Sequence, residues 1–136
     1  MKTNLIAYVV TLVVLVGIDF VWLSRMGEAV YRPIMGDMAL PAFRVAPGIL
    51  FYVIYVFGVV YFAIAPALAG GGASAAALNG AILGLCAYGT YDLTNQATLK
   101  NWSTTLSVID MGWGTVLTAV SAVIAYIVVS AIVGRA

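Results

Sequence analysis

Four apolar stretches, each long enough to cross a lipid bilayer, make up most of this chain and decide what it can fold into. A crossing helix needs about 20 mostly apolar residues to span a hydrocarbon layer of ~30 Å. The stretches run from about Asn4 to Ser24, Gly48 to Ala69, Ala75 to Thr98 and Leu106 to Val133. Their length and uniformity predict helices. Strands of a transmembrane barrel are shorter and alternate in polarity, and four of them cannot close a barrel. Composition agrees, with 64% of the 136 residues apolar and 8% charged. A soluble domain has roughly 45–50% and about 25%, and a chain this short lacks a core large enough to hide the excess. The expected fold is all-α: an integral membrane four-helix bundle, one domain over residues 1–136.

The connections differ in kind. Gly70-Gly71-Gly72 joins the second and third stretches so tightly that they must be antiparallel neighbours. Lys100-Asn101-Trp102-Ser103 joins the third and fourth. Only residues 25–47 form a sizeable loop, with Arg25, Glu28, Arg32, Asp37, Arg44 and prolines at 33, 41 and 47. This composition predicts a short interfacial helix followed by an irregular segment along the membrane surface. The first stretch is too long for the apolar core of a signal peptide, and no small-residue cleavage motif follows it. Arg25, Arg32, Arg44 and Lys100 lie on one side and Lys2 and Arg135 on the other. Four against two favours cytoplasmic loops and external termini.

Three of the five carboxylates fall inside the stretches: Asp19, Asp92 and Asp110. An Asp at the middle of a span costs ~2.5–3.5 kcal/mol on insertion scales, and such residues are usually functional. Asp19 lies ~7–8 Å before the end of the first helix at the helical rise. Asp92 precedes the end of the third by a similar distance, and Asp110 follows the start of the fourth by about four residues. Because the chain crosses alternately, these three positions share one side, so three acids form a layer one or two turns below one surface. Three such acids in a low dielectric cannot all be charged, and at least one is expected to be neutral at pH 7.

Trp22, Trp102 and Trp113 fall on that same side, and Trp22 and Trp113 each follow an acid by three residues on one helical face. Gly80, Gly84, Tyr88 and Asp92 follow at four-residue steps, and Asn95 continues the stripe. Asp110, Gly114, Thr118 and Ser121 form a second one. Both stripes should face the interior, where small residues let helices approach closely and polar groups find partners. The candidate ligand or proton site is therefore Asp19, Asp92, Asn95 and Asp110, with Trp22, Tyr88, Tyr91 and Trp113 as aromatic walls. Asp92 stands in the most polar stretch of any span, so Asp92→Asn is expected to keep the fold and impair the site.

Each feature also has a plainer reading. The acids could merely fasten helices together, and the tryptophans could form an interfacial belt. The Gly80–Gly84 spacing reads as helix packing, not a nucleotide loop. Cys86 is expected to be a small buried hydrophobe. Thr90, Thr94, Thr98 and Asn95 are expected to bond backbone carbonyls or the acids. With no histidine, one cysteine and a net charge of +1, no metal site, disulfide, hydrolase triad or nucleic-acid surface is expected, and no cofactor.

Several of these segments also carry a resemblance. Asp19-Phe20-Val21-Trp22-Leu23, Phe51-Tyr52, Pro66-Ala67-Leu68, Tyr88-Gly89-Thr90-Tyr91-Asp92-Leu93-Thr94-Asn95 with Ala97-Thr98-Leu99, and Asp110 with Trp113-Gly114-Thr115 together resemble a family of bacterial four-helix predicted membrane proteins of unknown function. The resemblance covers essentially the whole chain. It implies a single-domain, multi-pass protein of the bacterial inner membrane and carries over no activity.

Three functions remain open. The first is binding of, or action on, a lipid or other hydrophobic small molecule, with membrane lipids as partners. The second is a non-catalytic accessory subunit, in a homo-oligomer or a larger membrane complex. The third is a proton-coupled transporter, disfavoured because the acids lie near one surface and not at the midplane.

Overall fold

The computed structural model describes residues 1–134 and is all-α. Helix α1 spans Lys2–Met26 and continues through a π-helical turn, Gly27–Tyr31, into the short α2, Arg32–Met35, and a 3-10 turn, Gly36–Met38. An irregular segment over 39–44 leads to α3, Val45–Val59. Helix α4 spans Gly72–Thr98 and α5 spans Thr104–Val133. Three helical stretches are long and apolar enough to cross a membrane: Lys2–Met38, Val45–Thr98 and Thr104–Val133.

The middle stretch does not run straight. Pro66 has no N–H to give to the carbonyl four residues back, and its ring would crowd that carbonyl. The preceding turn widens to a π-helix over Val60–Ile64, so that Ala65 N–H bonds Val60 O. The chain then reverses at Gly70–Gly72. Gly70 (φ 125°) and Gly72 (φ 70°) adopt backbone angles that side chains disfavour. Between them, a Cβ on Gly71 would stand 2.6 Å from Ala75 Cβ. After the reversal α4 returns beside α3, with the Tyr55 ring edge-on to Tyr88 at 6.3 Å. Gly70→Ala is expected to destabilise the protein by about 1–2 kcal/mol. Thermal unfolding in mild detergent, followed by circular dichroism, measures this; an unchanged Tm would show that the reversal does not depend on the glycine.

Helix boundaries extend past the sequence-based ones. Helix α3 starts at Val45, not Gly48, because Pro47 falls in its first turn, where the missing N–H would have no partner anyway. Helix α4 starts directly from the reversal at Gly72, and α5 at Thr104, where the Ser103 hydroxyl accepts Leu106 N–H at 3.3 Å. The orientation argument used Arg135, which lies outside the described residues.

Each helix buries one narrow stripe and leaves the rest exposed. On α1 the buried positions are Ala7, Thr11, Leu15 and Asp19, a four-residue repeat that ends on the acid. Leu5, Val13 and Phe20, on its other faces, are 67–70% exposed. An apolar exterior around a small-residue interior is the packing expected of a membrane protein. The closest approach is between α4 and α5. A Cβ on Gly80 would stand 2.9 Å from Thr118 O, and one on Gly84 would collide with Gly114 O. Both stripes anticipated from the sequence therefore face inward: Gly80, Gly84 and Asp92 on α4, and Gly114, Thr118 and Ser121 on α5, are buried. Cys86 is a correction. It lies on the outer face of α4 and is exposed, because the buried stripe of that helix passes through Gly84 and Tyr88.

Candidate functional site

The polar groups gather at the end of the molecule that carries the 27–44 segment and the α4–α5 connection. Asp19, near the end of α1, is 5% exposed. Its Oδ1 accepts the Trp113 indole N–H from α5 at 2.9 Å, and its Oδ2 accepts the Tyr52 hydroxyl from α3 in a short hydrogen bond. One carboxylate thus ties three helices together.

Trp113 lies flat on Trp22, with ring centroids 4.0 Å apart and planes 4° apart. The Trp22 N–H donates to Tyr31 Oη at 3.1 Å, and the Tyr31 hydroxyl donates in turn to Asp110 Oδ1 at 2.8 Å. Spacing along each helix paired Trp22 with Asp19 and Trp113 with Asp110. The fold crosses those pairs, since Trp113 serves Asp19 and Trp22 serves Asp110 through Tyr31.

Asp92 is fully enclosed, and neither of its carboxyl oxygens meets a hydrogen-bond donor among the described residues. Its acidic neighbour is the Asp110 carboxyl of α5. Two ionised carboxylates have no proton to share, and with the Tyr31 hydroxyl serving Asp110 alone, an ionised, fully buried Asp92 beside it would be strongly unfavourable. A proton on Asp92 would remove the conflict by supplying the missing donor. The expected signature is an infrared C=O band of a protonated carboxyl at neutral pH, lost in Asp92→Asn and retained in Asp19→Asn. Absence of the band from the unmodified protein would mean that the pair carries no proton.

Around this cluster lie supporting contacts. Thr118 Oγ donates to Gly114 O at 2.8 Å, so the Tyr55 hydroxyl, 2.6 Å away, is the donor to Thr118. Trp102 N–H donates to Ser107 Oγ at 2.8 Å, and its ring meets Tyr91 edge-on at 5.6 Å. Thr90, Thr94 and Thr98 all bond backbone carbonyls one turn back.

A cleft of about 440 Å³ opens beside the cluster, between α3 and α4, lined by Phe51, Ala87, Tyr88, Tyr91 and Asp110. Of the sequence candidates, Tyr88, Tyr91 and Asp110 line it, while Asp92 is sealed behind Asp110. Asp19, Trp22 and Trp113 form the adjoining hydrogen-bonded layer. Asn95 is half-buried, lies outside the cleft lining and takes part in none of these hydrogen bonds.

Sequence reasoning did not single out Phe51, Tyr52, Tyr55 or Tyr31 as site residues. Tyr52 carried a usable signal, because a phenol in an otherwise apolar helix must find an acceptor and the strongest ones available are the three acids. Tyr31 carried none, since nothing in a loop sequence says where it folds back.

The family described as "Predicted membrane protein (DUF2177)" matches residues 4–127. The chain belongs to the DUF2177 family. The match takes in every polar residue of the cluster, from Asp19 to Thr118, and the three long apolar helices agree with the membrane character the family description states. Comparison of this DUF2177 member with curated proteins and with solved structures found no significant match. Its chemistry is therefore read from its own residues.

Proposed function

We propose that this DUF2177 member is a multi-pass protein of the bacterial inner membrane that binds an amphiphilic small molecule or lipid. The head of the ligand lies in the cleft of Phe51, Ala87, Tyr88, Tyr91 and Asp110. The carrying observation is the composition of that cleft: aromatic and apolar walls with one carboxyl among them, at the end of the helices where the acids lie. Sites for small amphiphiles combine a mostly apolar lining with a few placed polar groups.

Four crossings support this reading. The 54-residue stretch Val45–Thr98 would be ~80 Å long as one straight helix, far beyond a ~30 Å hydrocarbon layer, and it reverses at Gly70–Gly72. Counted as two antiparallel crossings, it would leave the cleft one or two turns below the surface, at headgroup depth. Residues 27–44 then lie along the interface, where the Glu28–Arg32 ion pair at 3.0 Å is solvated.

Native mass spectrometry of gently purified protein, with extraction and identification of retained molecules, tests the reading. The expected result is an enriched amphiphile that is absent from Ala87→Trp, which fills the cleft without touching its charge. Bulk lipid in equal amounts in both proteins would overturn it. A protein partner in fixed ratio, with bulk lipid only, would put the accessory-subunit reading in its place.

A further inference from the structure

The cleft also presents a carboxyl, Asp110, with no Lys or Arg among its lining residues. Among the described residues the ion pair found is Glu28–Arg32, neither of which lines the cleft. The Tyr31 hydroxyl donates to Asp110, and Asp92 is its acidic neighbour. An uncompensated carboxylate at the edge of an apolar interior is costly, and a cation brought by the ligand would relieve that cost.

The walls add a second, independent argument. Phe51, Tyr88 and Tyr91 present three aromatic rings around the same space. Aromatic faces attract cations through the ring quadrupole, most strongly where water is excluded, and rings gathered about a carboxylate suit an ammonium group. A phosphate or carboxylate head would instead meet Asp110 with like charge.

We propose that the cleft recognises an amphiphile through a cationic ammonium head, held by Asp110 and the rings of Phe51, Tyr88 and Tyr91, with its alkyl chain leaving towards the surrounding lipid. This inference rests on the proposed amphiphile site and names its ligand class.

The test measures binding of dodecylammonium, dodecanol, dodecanoate and ethylammonium to the detergent-purified protein at pH 7, counting only the component abolished by Ala87→Trp. Dodecylammonium is expected to bind about tenfold tighter than dodecanol, with dodecanoate weakest and ethylammonium undetected. Asp110→Asn is expected to erase the preference for the amine, and Phe51→Leu to reduce it. Asp110→Asn keeps an acceptor for Tyr31, and circular dichroism confirms that both variants fold.

Equal, Ala87→Trp-sensitive binding of amine and alcohol would overturn the ammonium assignment and leave the amphiphile site standing. Tighter binding of dodecanoate would overturn the assignment by its sign. Ethylammonium as strong as dodecylammonium would replace the amphiphile with a small soluble amine. Binding of every probe unaffected by Ala87→Trp would overturn the cleft reading itself.

Discussion

Gly114→Ala is expected to separate α5 from α4 and to destabilise the protein by about 3 kcal/mol, at the upper end of the range for overpacked interiors. The added methyl would overlap the Tyr88 ring, colliding with its Cγ and both Cδ atoms. Tyr55 meets the ring edge-on from α3, so the ring can retreat only by closing into the cleft of Phe51 and Tyr91. Otherwise the helix backbone must move, and Gly84 already holds α4 so close to Gly114 O that no Cβ fits there. Unfolding in a denaturing detergent measures the loss. A double-mutant cycle isolates its cause: in a Tyr88→Ala background the clash is gone, and Gly114→Ala should then cost well under half as much. Equal costs in the two backgrounds would show that the ring is not the obstacle.

Asp19→Ala is expected to have the next largest effect, a loss of about 2–4 kcal/mol, because two part-buried donors lose their acceptor at once. Trp113 N–H and the Tyr52 hydroxyl both point at this carboxylate, which is only 5% exposed, so water replaces it poorly. Asp19→Asn should be far milder. Its amide oxygen accepts from Trp113 while its NH₂ donates to Tyr52 Oη, so both contacts survive without charge. Denaturant titration followed by tryptophan fluorescence reports both stability and the Trp22–Trp113 stack. If the Ala and Asn variants were equally destabilised, the negative charge and not the hydrogen bonding would be what matters.

These two variants mark the division between what spacing along the chain conveys and what it does not. The inward stripes of α4 and α5 were legible because a helix repeats every 3.6 residues. Small or polar residues at four-residue steps must share a face, and in a chain so apolar that face has to turn inward. Cys86 was misread for the complementary reason. Its neighbours are as apolar outside as inside, so hydropathy alone does not distinguish a lipid-facing position from a buried one. The candidate acids were legible as a layer, since helices that run alternately up and down bring Asp19, Asp92 and Asp110 to one end. Their individual roles were not. Asp92, the strongest candidate by local polarity, is sealed behind Asp110, so any effect of Asp92→Asn on a ligand must pass through its neighbour.

By itself, then, the sequence determined the membrane-spanning character, the helices, the reversal at Gly70–Gly72, the close-packed faces and the end of the molecule where the acids collect. All of these follow from local periodicity, backbone freedom and the energetics of burying polar groups in lipid. The tertiary structure alone decided the partners. It crossed the two tryptophans onto each other's acids, folded Tyr31 back from the loop onto Asp110, brought Tyr52 to Asp19, and put Asp92 behind a cleft that Asp110 lines. Apart from Trp22–Tyr31, nine positions apart, these contacts join residues 33 to 94 positions apart. They depend on the rotation of each helix about its own axis and on how closely neighbours approach, quantities set jointly by all the packed side chains and not by any one segment of the chain.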